Sequence, residues 1–72
     1  MGVIIRFRSD ERKNINNVML KMFDKPFQYD LHIRFSNREN TGEIKVEKRY
    51  LIECEDIIDR CNAKITSTVI YD

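Results

Sequence analysis

Residues 27–35, Phe-Gln-Tyr-Asp-Leu-His-Ile-Arg-Phe, alternate between apolar and polar side chains along their whole length. The apolar positions all share one parity: Phe27, Tyr29, Leu31, Ile33 and Phe35. Successive side chains of a β-strand point to opposite faces of a sheet. The alternation therefore predicts a strand with one face packed on a core and the other face in water.

On the C-terminal side of this stretch, the sequence predicts a hairpin. Residues 36–42 are rich in Ser, Asn, Thr and Gly, the residue types of turns, and Glu43–Glu47 alternates as a third strand. A connection this short joins antiparallel strands. The high charge density of residues 43–48 favours a position at an edge of the sheet for this strand.

Two helices and two further strands complete the pattern. Residues 3–8 alternate as a first strand, and Ser9 is a predicted N-cap for an amphipathic helix that must end before Pro26. The apolar stripe of that helix is Ile15, Val18, Met19, Met22 and Phe23. A second stripe comprises Tyr50, Leu51, Cys54, Ile57, Ile58 and Cys61, with Asn62 as a left-handed cap. A last strand is predicted to turn Ile65, Val69 and Tyr71 inward.

The order βαββαβ predicts one α+β domain spanning residues 1–72, an open-faced two-layer sandwich with both helices on one face of a four-stranded, mostly antiparallel sheet. Two strand orders satisfy the pattern, the ferredoxin-like 4-1-3-2 and the order 1-4-2-3. An edge position for the third strand favours 1-4-2-3, whereas the abundance of ferredoxin-like folds favours 4-1-3-2, so both orders stay open.

Residues 27–71 resemble the histidine-containing phosphocarrier protein of the sugar phosphotransferase system (HPr), whose strand order is 1-4-2-3. The similar segments are Phe27–Ile33, Gly42–Ile52 and Ala63–Thr66. That family phosphorylates a His, followed by Arg-Pro, in the loop after strand one. Here the loop is Arg8–Glu11, without His or Pro, Tyr50 stands at the family's regulatory Ser, and the third helix is missing. The resemblance thus implies a shared fold at most, and no phosphotransfer residue.

Composition and motifs favour a protein without catalysis, cofactor or metal. The chain has 13 basic and 12 acidic residues, so no net field directs it to nucleic acid or lipid. It has one His, no glycine-rich loop, and acidic residues (Glu53, Glu55, Asp56 and Asp59) that follow a convex helix rather than facing each other across a cleft. Its longest apolar run, residues 3–5, is too short for a membrane span, and we expect a cytoplasmic protein.

Cys54 and Cys61 are predicted to be free thiols. On one helix, seven residues separate them by about 10.5 Å of rise, whereas the α-carbons of a disulfide lie closer than about 7 Å. Both cysteines belong to the apolar stripe of the second helix, so they are expected to act as small core residues.

The uncovered sheet face is the most informative predicted surface. By parity it presents Ile4, Arg6, Arg8, Gln28, Asp30, His32, Arg34, Lys45, Glu47, Lys64, Thr66, Thr68 and Ile70. This set is net basic, but RNA-binding sheets also stack bases on exposed aromatic rings. Every aromatic strand residue, Tyr71 included, falls on the buried parity, so only weak phosphate contact is expected.

These observations predict a protein-binding module, a stoichiometric regulator or inhibitor such as the phage or mobile-element inhibitors of host nucleases (the anti-CRISPR kind). The partner-binding residues are predicted to be Arg6, Arg8, His32, Arg34, Arg38, Lys45 and Lys64. Three alternatives stay open: a nucleic-acid-binding domain, an HPr-like regulatory scaffold without its His, and a nucleic-acid mimic that uses the acidic second helix. His32 is either a solvated side chain or a pH-sensitive contact.

Overall fold

Two helices cover one face of a four-stranded antiparallel sheet in the computed structural model, which describes residues 1–72. The elements are β1 (Gly2–Ser9), α1 (Arg12–Phe23), β2 (Tyr29–Phe35), β3 (Asn40–Glu47), a 3-10 turn (Lys48–Tyr50), α2 (Leu51–Arg60) and β4 (Lys64–Tyr71). The predicted α+β sandwich is confirmed. Neither α-helix has the length and apolar composition needed to span a lipid bilayer.

The strands lie in the order β2-β3-β1-β4, which is the ferredoxin-like order 4-1-3-2. The edge position predicted for the third strand is therefore wrong, and the order differs from the one that the HPr resemblance implies. The charged side chains of β3 all lie on its uncovered side, while Ile44 and Val46 are buried. A central strand of an open-faced sheet can be this rich in charge because every second residue meets water.

The core lies between the sheet and the helices. Ile5 and Ile44 are partners across the β1–β3 ladder and both are fully buried. The helices contribute further buried residues: Ile15, Val18 and Met22 from α1, and Cys54, Ile57 and Ile58 from α2. The predicted stripe of α1 is too wide, because Phe23 at its C-terminal end remains 68% exposed.

The first helix begins later than predicted. Ser9 pairs with Asn40 as the last residue of β1, so it is extended and is not the N-cap, which is Glu11. Its hydroxyl nevertheless supports the helix start, accepting hydrogen bonds from the Glu11 backbone N–H (3.2 Å) and from Asn14 Nδ2 (2.9 Å).

The second helix ends as predicted, at a left-handed Asn62 with φ of 60°. The Ala63 N–H donates to the Ile58 carbonyl (3.2 Å) and the Asn62 N–H to the Asp59 carbonyl (3.0 Å). These two bonds form a Schellman motif, and the buried Ala63 and Ile58 supply its apolar pair.

A β-bulge changes the faces of β4. Phe7 lies opposite Ile65 and Arg6 lies opposite Ser67, which leaves Thr66 without a partner in the ladder. One extra residue inverts the parity of everything beyond it. The predicted faces of residues 68–71 are therefore wrong: Thr68 and Ile70 lie on the helix side, and Val69 and Tyr71 lie on the uncovered side.

Candidate functional site

The uncovered side of the sheet, here called the open face, consists of rows of side chains that lie opposite one another across the ladders. From β2 to β4 the rows are Asp30-Lys45-Ile4-Val69, His32-Glu43-Arg6-Ser67 and Arg34-Thr41-Arg8-Lys64. Six of the seven predicted binding residues lie on this face. The seventh, Arg38, is exposed in the turn between β2 and β3.

Three cations share the last of these rows, which we call the basic row: Arg34, Arg8 and Lys64. Neighbouring strands lie about 4.8 Å apart, so the row spans about 14 Å. A shallow depression of about 690 Å³ lies at the Arg34 and Arg8 part of this row, where Glu39 and Glu43 also line it. Arg34 and Lys64 are exposed and form no ion pair.

Two arginines of the open face are paired with carboxylates at its surface. Arg6 Nε lies 3.0 Å from Glu43 Oε1, and Arg8 Nη1 lies 3.4 Å from Glu39 Oε2. Between 35% and 49% of each of these four side chains is exposed. Ion pairs in water contribute about 1 kcal/mol or less, so an incoming carboxylate can replace Glu39 or Glu43 at little cost.

His32 is an exposed side chain opposite Glu43 in the β2–β3 ladder. No Cys faces it, because Cys54 and Cys61 are buried on the helix side. The arrangement offers a contact residue rather than a nucleophile and its base.

The open face also carries an aromatic ring that the sequence analysis missed. Tyr71 lies opposite Gly2 and covers it, and Lys45 Nζ is 5.2 Å from the ring centroid. The ring is at the far end of the face from the basic row, six residues along β1 or about 20 Å away. One signal was present in the sequence, since Val69 and Ile70 are adjacent, both apolar, and of opposite parity.

The acidic side of α2 is partly neutralised by cations of the chain itself. Glu53 Oε2 lies 2.7 Å from Lys25 Nζ, and Asp56 Oδ2 lies 2.9 Å from Arg60 Nε. Two of the four predicted acidic residues are thus already paired, which leaves little charge for mimicry of a nucleic-acid backbone.

The two cysteines are free and buried, as predicted. Burial, with smaller effects from Glu53 and Glu55 opposed by Lys25, raises the pKa of the Cys54 thiol to about 11. Burial also raises the pKa of Cys61. Both thiols are protonated at neutral pH and are therefore poor nucleophiles.

Comparisons with known proteins give information on the fold and none on the function. No family model matches the sequence, and no curated protein matches it. Among solved structures, the chain is similar to "De novo designed protein Foldit4", with a TM-score of 0.60 and 17% identity over 99% of this chain and 97% of that one. This likeness shows the fold alone.

Proposed function

We propose that this chain is a non-catalytic protein-binding module that docks a carboxylate-bearing surface of another protein through the basic row. The observation that carries the proposal is the alignment of Arg34, Arg8 and Lys64 across the sheet on a face that no helix covers. A small chain with one such face fits a stoichiometric regulator.

Arginine chemistry supports a protein partner. A guanidinium binds carboxylates through two parallel hydrogen bonds, and arginine is enriched at the energetic centres of protein interfaces. Arg6 and Arg8 each already contact one carboxylate oxygen of this chain, that of Glu43 and Glu39 respectively, which supports carboxylates as ligands of this face.

Single-stranded nucleic acid is the second candidate, favoured by the half-buried Tyr71 ring on the open face. One ring at the opposite end from the basic row is a small stacking platform, since such proteins combine several rings with a groove that follows the backbone. We therefore place this function below protein binding.

The test is partner capture from nuclease-treated native extract with Arg8→Glu combined with Lys64→Glu. These residues lie opposite each other in the β1–β4 ladder, and reversing both should abolish capture while leaving the circular dichroism spectrum unchanged. The matched control is Lys13→Glu with Arg60→Glu, which makes the same charge change on the helices at side chains 77% and 74% exposed. The control should retain the partner.

Capture that survives the basic-row reversal but fails in the control would move the interface to the helices and contradict the proposal. Capture that disappears on nuclease treatment alone would favour the second candidate.

A further inference from the structure

The strand β2 is an edge of the sheet with one side of its backbone unpaired. Proteins normally protect such edges with Pro, Lys, bulges or very short strands. β2 has seven residues in unbroken register with β3, and its sequence contains neither Pro nor Lys. The other edge, β4, is interrupted by its bulge. The exposed edge at β2 thus has no Pro, Lys or bulge, and its two charged residues, Asp30 and Arg34, are of opposite sign.

An apolar groove runs beside this edge on the helix side of the sheet. It has a volume of about 390 Å³ and is lined only by apolar or aromatic residues: Met19, Phe23, Tyr29, Leu31 and Ile33. Phe23 and the nearby helix residue Leu20 are 68% and 57% exposed. Apolar surface of this kind next to an open edge marks an interaction site.

We propose that the β2 edge and the groove beside it bind a second copy of this chain. The two β2 strands pair antiparallel about a two-fold axis at His32. On the open face, Asp30 then lies opposite Arg34 of the second copy, and Arg34 opposite its Asp30. On the helix side, Leu31 lies opposite Ile33 and Tyr29 opposite Phe35. The same patch thus complements itself, as a two-fold interface requires.

The charges select this register over its neighbours. An axis at Leu31 would place Asp30 opposite His32 and Arg34 opposite Gln28. An axis at Ile33 would place His32 opposite Arg34 and Asp30 opposite Ser36. Only the axis at His32 matches both pairs of opposite charge and aligns all seven residues of β2.

The resulting sheet has eight strands, because each copy contributes four. A two-fold axis perpendicular to the sheet keeps both open faces on one side, so the dimer presents two basic rows to the same partner. A standard interface takes about 800 Å² from each partner, which is a modest fraction of the 5032 Å² surface of one chain. The dimer does not depend on the proposed function.

The test is sedimentation equilibrium of four proteins over a concentration series: wild type, Asp30→Arg, Arg34→Asp and the double swap. Each single variant places two pairs of like charge across the axis and should weaken dimerisation about tenfold or more. The double swap restores both attractive pairs and should restore the dimer. An equimolar mixture of the two single variants should dimerise as well, because every pair across that interface is then of opposite charge.

Amide hydrogen exchange provides a second measurement on the wild type. Alternate β2 amides face the unpaired side, and their protection should rise with protein concentration. A wild type that stays monomeric at its solubility limit would overturn the proposal. So would a dimer that the single variants leave unchanged, or a mass that grows without limit, which would indicate pairing of β2 with β4.

Discussion

Gly42 and Gly2 both lie beneath an aromatic ring, but only one of these rings is buried in the core. The Phe7 ring covers Gly42 in the core and is 1% exposed, whereas the Tyr71 ring covers Gly2 on the open face. A methyl group at either position would collide with the ring above it. The cost of that collision depends on whether the ring can swing away.

We expect Gly42→Ala to lower the free energy of unfolding by about 1–3 kcal/mol, the usual cost of overpacking a core. Chemical denaturation followed by circular dichroism measures this change. Gly2→Ala is the matched control and should cost clearly less, because Tyr71 can rotate into solvent. Equal losses for both variants would show that Tyr71 is held as firmly as Phe7.

Cys54 makes stability depend on pH in the alkaline range. Its thiol has a pKa of about 11 in the folded chain, raised chiefly by burial from an ordinary value of 9.0. Between these values the unfolded chain has lost the proton that the folded chain retains. The stability contributed by this thiol is therefore complete below about pH 9 and falls as the pH rises toward 11.

The expected loss from this thiol is on the order of 3 kcal/mol across that interval. Denaturation of the wild type and of Cys54→Ala at a series of pH values measures this loss. The comparison separates the effect of the thiol from the titration of Tyr and Lys residues. The variant should start less stable and lose less on going to high pH. Parallel curves for the two proteins would contradict the raised pKa.

At the scale of the elements, the central and edge strands should respond differently to truncation. Ile44 of β3 is fully buried, whereas its ladder partner Leu31 of β2 is half-buried at the edge. Ile44→Ala should cost about 2–5 kcal/mol, and Leu31→Ala should cost less because that side chain already meets water. Urea denaturation of the two variants at low protein concentration measures the difference. The opposite ranking would mean that β2 is covered in solution, as it is in the proposed dimer.

The strands also show what can be inferred from periodicity. The alternation of residues 29–35 and 3–8 correctly separated inward from outward side chains, because β2–β3 and β1–β3 pair without interruption there, whereas Phe27 and Gln28 of the predicted strand lie before β2. In β4 the alternation failed beyond Thr66, because a bulge inserts one residue there and the adjacent apolar Val69 and Ile70 do not locate it. Sequence reasoning also misplaced the start of α1. Ser9 was predicted to be the helix N-cap, but it pairs with Asn40 and therefore belongs to β1.

At the scale of the whole molecule, the layers could be predicted and the strand order could not. Apolar stripes and faces determine that both helices cover one side of the sheet. Which strand lies at the edge depends on long-range pairing, and the charges of β3 were equally compatible with a central strand beside an open face. Six of the seven candidate binding residues came together because they share outward parity. The partner itself is not encoded in any motif of this chain.

The central position of β1 also affects how the chain folds. β2 and β3 are joined by a short turn, so their hairpin needs only a small loop closure. In contrast, β1 pairs with β4 from Gly2 opposite Tyr71 to Arg8 opposite Lys64, contacts that join nearly opposite ends of the sequence. Contacts between residues so distant in sequence slow folding, because the entropy of a large loop is lost before they form. During synthesis, β1 therefore lacks one of its two neighbouring strands until β4 has left the ribosome. The apolar residues Val3, Ile5 and Phe7 belong to this strand.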